Sequence, residues 1–179
     1  IQEAYEMLQK AAARTDGLSG LESGFHALDK MTSGWQDSDL VIIAARPAMG
    51  KTAFVLSMAK NMAVNARIPV ALFSLEMSNV QLVNRMIVNV CEIPGEKIKS
   101  GQLAPYEWGQ LDYKIKELYD APLYVDDTPS LSVFELRTKA RRLVREHGVK
   151  IIIIDYLQLM NASGMSFGSR QEEVSTISR

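Results

Sequence analysis

Between Leu40 and Ala59 a β-branched run, Val41 to Ile43, gives way to Arg46 and Pro47, then to Gly50-Lys51-Thr52 and an apolar stretch with no Gly or Pro until Pro69. That order predicts a buried strand over about Asp39–Ala45, a tight turn and a helix from Lys51 to about Asn65. Apolar residues surround most of that helix, so it is expected to be covered on more than one side. A turn ending in Gly-Lys-Thr at a helix N-terminus is the signature of a phosphate-binding loop. Loop and first-turn amides, with the positive end of the helix dipole, form a nest for anionic oxygens. Gly50 lets the backbone approach closely, where a Cβ would obstruct it. Lys51 would reach the terminal phosphates of a nucleotide and Thr52 would ligate Mg²⁺. The common pattern has an additional Gly where this chain has Ala45, so the loop needs support from a second site.

Ile151–Ile154 supplies it. This run ends in Asp155, as a buried strand does when it delivers one carboxylate at its C-terminal edge. Ligands of doubly wound sheets bind at that edge, and a strand ending near Ala45 would put the loop on the same rim. Asp155 would then hold the Mg²⁺ water shell opposite Thr52. Glu76 follows the apolar run Pro69–Ser74 and is expected on the same rim, where an ionised carboxylate can take a proton from an attacking water; a surface Glu beside a helix start is the plainer alternative. Arg85 lies seven residues into the next helix, and on local grounds it is a solvated side chain.

The remaining elements follow from caps and breakers. Gln2–Ala13 is expected to be an amphipathic helix carrying Tyr5 and Leu8, and Thr15–Gly20 a linker. Ser23–Met31 suggests a short helix stopped near Ser33 and Gly34. Ser78 can cap a helix to about Cys91. Pro94–Lys99 and Pro105–Tyr119 read as helices, and Tyr124-Val125 as a short strand closed by Asp126-Asp127-Thr128-Pro129. Ser132 and Gly148 bracket a helix with Val133, Leu136, Ala140, Leu143 and Val144 on one face. Its other face carries Arg137, Lys139, Arg141, Arg142 and Arg145, read as a solvated face balanced by Glu135 and Glu146 rather than as a DNA contact. Ala162–Ser169 is Gly/Ser-rich and expected to be mobile. Strands of continuous apolar character alternating with helices imply an α/β fold: a mostly parallel sheet with helices on both faces.

Composition restricts the alternatives. The 179 residues are 47% hydrophobic and 23% charged, with a net charge of −1, so bulk charge gives no argument for nucleic acid. A single cysteine, Cys91, excludes an intramolecular disulfide and fits a reducing cytoplasm. No apolar run reaches membrane-spanning length and no signal peptide is visible. A first residue Ile1 and a helical pattern still running at Arg179 suggest a piece of a longer chain.

Four stretches together resemble a known family. They are Gly20-Leu-Glu-Ser-Gly-Phe-His-Ala-Leu-Asp-Lys-Met-Thr-Ser-Gly-Trp35, Ala44-Ala-Arg-Pro-Ala-Met-Gly-Lys-Thr52, Ser74-Leu-Glu-Met-Ser78 and Ile154-Asp-Tyr-Leu-Gln-Leu-Met160. In kind and order they are similar to the motifs of the bacterial replicative DNA helicases, the DnaB family. Ala45, with the Arg-Pro that follows it, matches that family's own variant of the loop. The resemblance implies a RecA-like P-loop ATPase domain over 20–179, incomplete at its C-terminus, preceded over 1–19 by an interdomain linker helix. It implies ATP and Mg²⁺ as cofactors, held by Ala48, Met49, Gly50, Lys51, Thr52, Ala53 and Arg85. Thr52 and Asp155 would serve the metal, and Lys51 and Glu76 would be catalytic. It implies a hexameric ring translocating on single-stranded DNA in the cytoplasm, with primase and a helicase loader as partners. A sensor Gln, the DNA-binding loop and an arginine finger would lie beyond Arg179, leaving the isolated piece nearly inactive. Competing expectations are a RecA-like recombinase or signalling ATPase, a small-molecule P-loop kinase, and a non-catalytic assembly module.

Overall fold

The computed structural model describes residues 1–14, 17–160, 171 and 175. Thr15 and Asp16 of the expected linker, and the stretch Ala162–Ser169, lie outside the described residues. The chain divides into two compact units, Ile1–Phe54 and Val55–Arg179.

In the first unit, α1 spans Gln2–Ala13 and α2 spans His26–Thr32. No residue of α1 is buried, and Tyr5 and Leu8 are 61% and 68% exposed. The segment between α1 and α2 is tied to the one after α2 by a single antiparallel bridge, Leu21 with Trp35, whose amides and carbonyls exchange bonds of 2.8 and 2.7 Å. Gly20 and Gly34 are required there. A Cβ on Gly20 would run into the Trp35 carbonyl, and Gly34 has φ +84. The carboxylate of Asp29 accepts from the Ser23 amide (2.8 Å), the Ser23 hydroxyl (2.6 Å) and the Gly24 amide (3.2 Å). Buried carboxylates persist when several donors satisfy them in this way.

The expected strand over Asp39–Ala45 is not formed. Residues 39–45 take part in no ladder, and Leu40 and Ile42 are 72% and 71% exposed. A strand is stabilised by the edge it pairs with, and the described residues of this unit supply no sheet. The helix that follows, α3 (Lys51–Lys60), starts where the sequence places it and runs on through a π-helical turn at Asn61–Asn65. Its buried residues Val55, Leu56, Met58, Ala59, Met62 and Ala63 form one broad stripe, with Ser57, Lys60 and Val64 half-buried.

Among its described residues the second unit has three parallel strands, β1 (Val70–Ser74), β2 (Leu123–Asp126) and β3 (Ile151–Asp155), in the order β2-β1-β3. Central β1 is buried at every position, so both faces of the sheet are covered. On one face Ala71 and Phe73 pack with Leu131, Val149, Leu136 and Leu143, the last two from α7 (Val133–His147). Val144, expected on that face, is 48% exposed. Full burial of a side chain such as Phe73 contributes on the order of 2 kcal/mol.

Between β1 and β2 the chain forms α4 (Asn79–Cys91), α5 (Gly95–Ser100) and α6 (Pro105–Tyr119). Leu82, Met86 and Val90 share the buried side of α4. Val90, Cys91 and Ile93 pack with Ile98, Leu103, Leu111 and Leu118. Cys91 is thus a packing residue, and burial pushes its thiol pKa up, which makes it a poor nucleophile. Ser78 and Ser132 start α4 and α7 with reciprocal bonds to Gln81 and Glu135, and α7 ends at Gly148 with φ 63.

Candidate functional site

In the first unit, Pro47 and Ala48 occupy the centre of a turn closed by the Met49 amide donating to the Arg46 carbonyl at 3.2 Å. Ala48 has φ 61 and Gly50 φ 84. Proline followed by a positive φ is the type II pattern, which usually has glycine at the second position. Holding Ala48 there costs about 1–2 kcal/mol. Alternation of right- and left-handed backbone turns successive amides toward one concavity, the geometry of an anion nest. A bond of 2.9 Å from the Phe54 amide to the Gly50 carbonyl leads directly into α3, so Lys51, Thr52 and Ala53 form its first turn. A Cβ added at Gly50 would meet nothing within 4 Å. Open space over a left-handed glycine, in front of a helix N-terminus, fits a polyphosphate. The segment that precedes α2 buttresses the loop: Phe25, next to the Asp29 clamp, stacks on Phe54 with ring centroids 4.8 Å apart and planes 11° from parallel.

In the second unit, Glu76 and Asp155 leave the C-terminal ends of neighbouring strands. Ser74 and Asp155 are the last register pair of β1 and β3, and the Leu75 amide donates to the Asp155 carbonyl at 2.8 Å. Asp155 is buried, whereas Glu76 is exposed. Leu75–Ser78 is folded back on Ser74, whose hydroxyl donates to the Met77 carbonyl (2.8 Å) and accepts from the Met77 amide (3.1 Å). Arg85 stands exposed on α4, in the turn after Gln81. Glu76 and Asp155 thus lie by neighbouring strand ends at the C-terminal edge of the sheet, whereas residues 39–45 form no strand.

Sequence reasoning passes over the turn after β2. Asp126 pairs with Phe73 across the ladder. Its carboxylate accepts from the Thr128 amide (2.9 Å) and from Lys139 on α7 (2.6 Å), which also donates to the Thr128 hydroxyl (2.7 Å). Burial alone would raise the Asp126 pKa, but the bonds from Lys139 and Thr128, with the Lys139 charge, outweigh it and hold the group below its usual value. Asp127 accepts from the Asn79 amide at 2.8 Å. The signal is present as Asp-Asp-Thr-Pro, an Asx-turn composition. The basic face of α7 is partly neutralised: Arg142 pairs with Glu146, as the solvated-face reading expects, whereas Lys139 turns to Asp126.

Residues 20–179 match the family model described as DnaB-like helicase C terminal domain. The chain belongs to that family. A replicative DNA helicase DnaB of Geobacillus stearothermophilus is 47% identical over 99% of this chain, and the replicative DNA helicase DnaC of Bacillus subtilis (strain 168) 44% identical over 99%. This DnaB-like chain spans 39% of the length of each. Among solved structures, a DnaB-like replicative helicase, solved in a study of its interactions with primase, matches with a TM-score of 0.87 at 37% identity, covering 98% of this chain and 42% of that one. A second solved chain, an ATPase domain, matches with a TM-score of 0.88 at 37% identity, covering 99% and 63%. The fold is thus that of the RecA-like ATPase domains of DnaB-like helicases. No helix among the described residues is long and apolar enough to cross a membrane.

Proposed function

We propose that this chain is the ATP-hydrolysing motor part of a hexameric replicative helicase that translocates on single-stranded DNA. The observation that carries the reading is the nest at Ala48–Lys51 opening onto α3, in a family whose members are replicative helicases. The residues present suit a magnesium nucleotide. Amides of Ala48, Met49, Gly50, Lys51, Thr52 and Ala53 would surround the phosphates, Lys51 would neutralise the terminal ones, and Arg85 would add a further nucleotide contact. Thr52 and Asp155 would hold Mg²⁺, directly or through water. When bound, the metal offsets charge that develops on the transferred phosphoryl oxygens. Glu76 would orient and deprotonate the attacking water, a role suited to an exposed carboxylate at a strand end.

The same reading takes residues 1–19 as an interdomain linker helix and 20–179 as the ATPase domain. It names single-stranded DNA, further copies of the chain, primase and a loader as partners, and places their work in the cytoplasm. The similarity to a helicase solved in a study of its interactions with primase supports the primase assignment. ATPase and strand-displacement assays on the full-length protein test the reading together. Hydrolysis stimulated by single-stranded DNA, with unwinding of a forked duplex, is expected. DNA-stimulated hydrolysis without unwinding would favour a recombinase, and DNA-independent phosphorylation of a small acceptor would overturn the motor assignment.

A further inference from the structure

The carboxylate of Glu76 has no bonding partner among the described residues, so the region it can reach depends on where the backbone places the residue. That backbone, Leu75–Ser78, is pinned at one end by Ser74 through both polar groups of Met77. At the other end the pin comes from another element: the Asn79 amide donates to the Asp127 carboxylate at 2.8 Å, across 48 residues. We propose that Asp127 is a positioning residue that holds the Glu76 loop in its working geometry, a proposal resting on the reading of Glu76 as the water-activating base.

A simple helix cap does not account for the bond. Ser78 and Gln81 already close a reciprocal capping box on α4, with bonds of 3.4 and 3.1 Å, so the helix start has its own local acceptor. Asp127 adds a carboxylate from the β2–α7 turn to the same first turn, where negative charge also meets the positive end of the helix dipole. The turn that presents Asp127 is itself anchored. Asp126 closes it through the Thr128 amide, and Lys139 bonds both the Asp126 carboxylate and the Thr128 hydroxyl. A continuous set of bonds therefore runs from α7 through the Asp126–Thr128 turn and Asp127 to the loop carrying Glu76. β2 lies directly beside β1, which keeps the span between turn and loop short. Misplacing a reacting group by about 1 Å can cost as much as 10²-fold in rate, so loosening this anchor should act on turnover rather than on nucleotide binding.

The test uses the full-length helicase with single-stranded DNA, reading kcat and KM for ATP, and ADP·Mg²⁺ affinity by calorimetry. Asp127→Ala should lower kcat about tenfold and leave KM and ADP affinity within twofold. Asp127→Asn, whose carboxamide oxygen can still accept from Asn79, should restore most of the lost rate. In a Glu76→Gln background, Asp127→Ala should cause no further loss. A kcat within twofold of wild type for Asp127→Ala, an Asn variant as slow as the Ala variant, or a loss confined to KM and ADP affinity would each overturn the proposal. Normal Asp127→Ala beside an inactive Glu76→Gln sinks Asp127 alone. Near-normal Glu76→Gln sinks the base reading, and the route through it. If Asp127→Ala proves too unstable to assay, Lys139→Met frees the turn from α7; it should lower kcat at constant ADP affinity, and unchanged kcat counts against the proposal.

Discussion

Ser74 and Asp155 close the β1–β3 ladder as its last register pair, both buried, and the residue after Ser74 donates its amide to the Asp155 carbonyl at 2.8 Å. This pairing makes the loop carrying Glu76 leave the sheet beside the proposed metal carboxylate. Glu76→Gln in the full-length enzyme should therefore keep ATP binding and lower turnover by about 10²–10⁴-fold, the usual worth of a general base. Lys51→Ala should instead weaken nucleotide binding by about 10–100-fold, as losing a hydrogen bond to a charged group implies. Filter binding with single-turnover hydrolysis separates the two; turnover of the Gln variant within a few-fold of wild type removes Glu76 from the mechanism.

Two glycines in open space should respond in opposite senses. Gly50 has φ 84 and Gly109 lies inside α6 without a left-handed backbone, and neither would bring an added Cβ within 4 Å of a neighbour. Gly50→Ala should lose about 1–2 kcal/mol of stability through backbone strain alone. Gly109→Ala should gain about 0.5–1 kcal/mol from helix propensity. Urea denaturation of both variants checks this, and a Gly50→Ala variant as stable as wild type would mean the loop adopts another backbone.

Glu107 should shape the acid limb of stability. Its carboxylate accepts from Lys97 (2.5 Å), the Tyr106 hydroxyl (3.2 Å) and the Ala104 amide (3.3 Å). The Lys97 bond, ahead of the opposing effect of burial, holds its pKa below the ordinary 4.5. A depressed native pKa means the unfolded chain binds the proton more readily. The stabilisation is complete above the ordinary value and is lost as pH falls through the native one. Melting temperatures measured from neutral pH down to about pH 3 should fall less steeply for Glu107→Gln than for wild type, and parallel curves would refute this.

The first helix should behave as an assembly element. Twelve residues with no buried side chain are marginal as an isolated helix in water, and Tyr5 and Leu8 offer an exposed apolar surface. We expect residues 1–13 to dock on a second copy, so that deleting them reduces self-association. Light scattering of the two forms over a range of concentration decides it; identical mass distributions would show that the helix plays no part in assembly.

Much of this molecule is legible without its structure, and the reason is local chemistry. α1 at Gln2–Ala13 and α6 at Pro105–Tyr119 fall on their expected limits. Ser78, Ser132 and Gly148 mark helix ends because caps act on amides and carbonyls within a turn. The buried run of β1 and the strand-end positions of Glu76 and Asp155 are readable for the same reason, whereas β3, expected to be a buried strand, leaves Ile152 exposed. Other features depend on partners far away in sequence. Val41–Ile43 has strong strand propensity yet forms no strand, because pairing requires an edge that propensity cannot supply. Lys139, expected among solvated charges, anchors the Asp126 turn instead. The bond between Asp127 and Asn79 joins residues that only the parallel alignment of β2 with β1 brings together. Spacing along the chain specifies which residues share a helix face or a turn, whereas contact between turns on neighbouring strands exists only once the sheet has set their register.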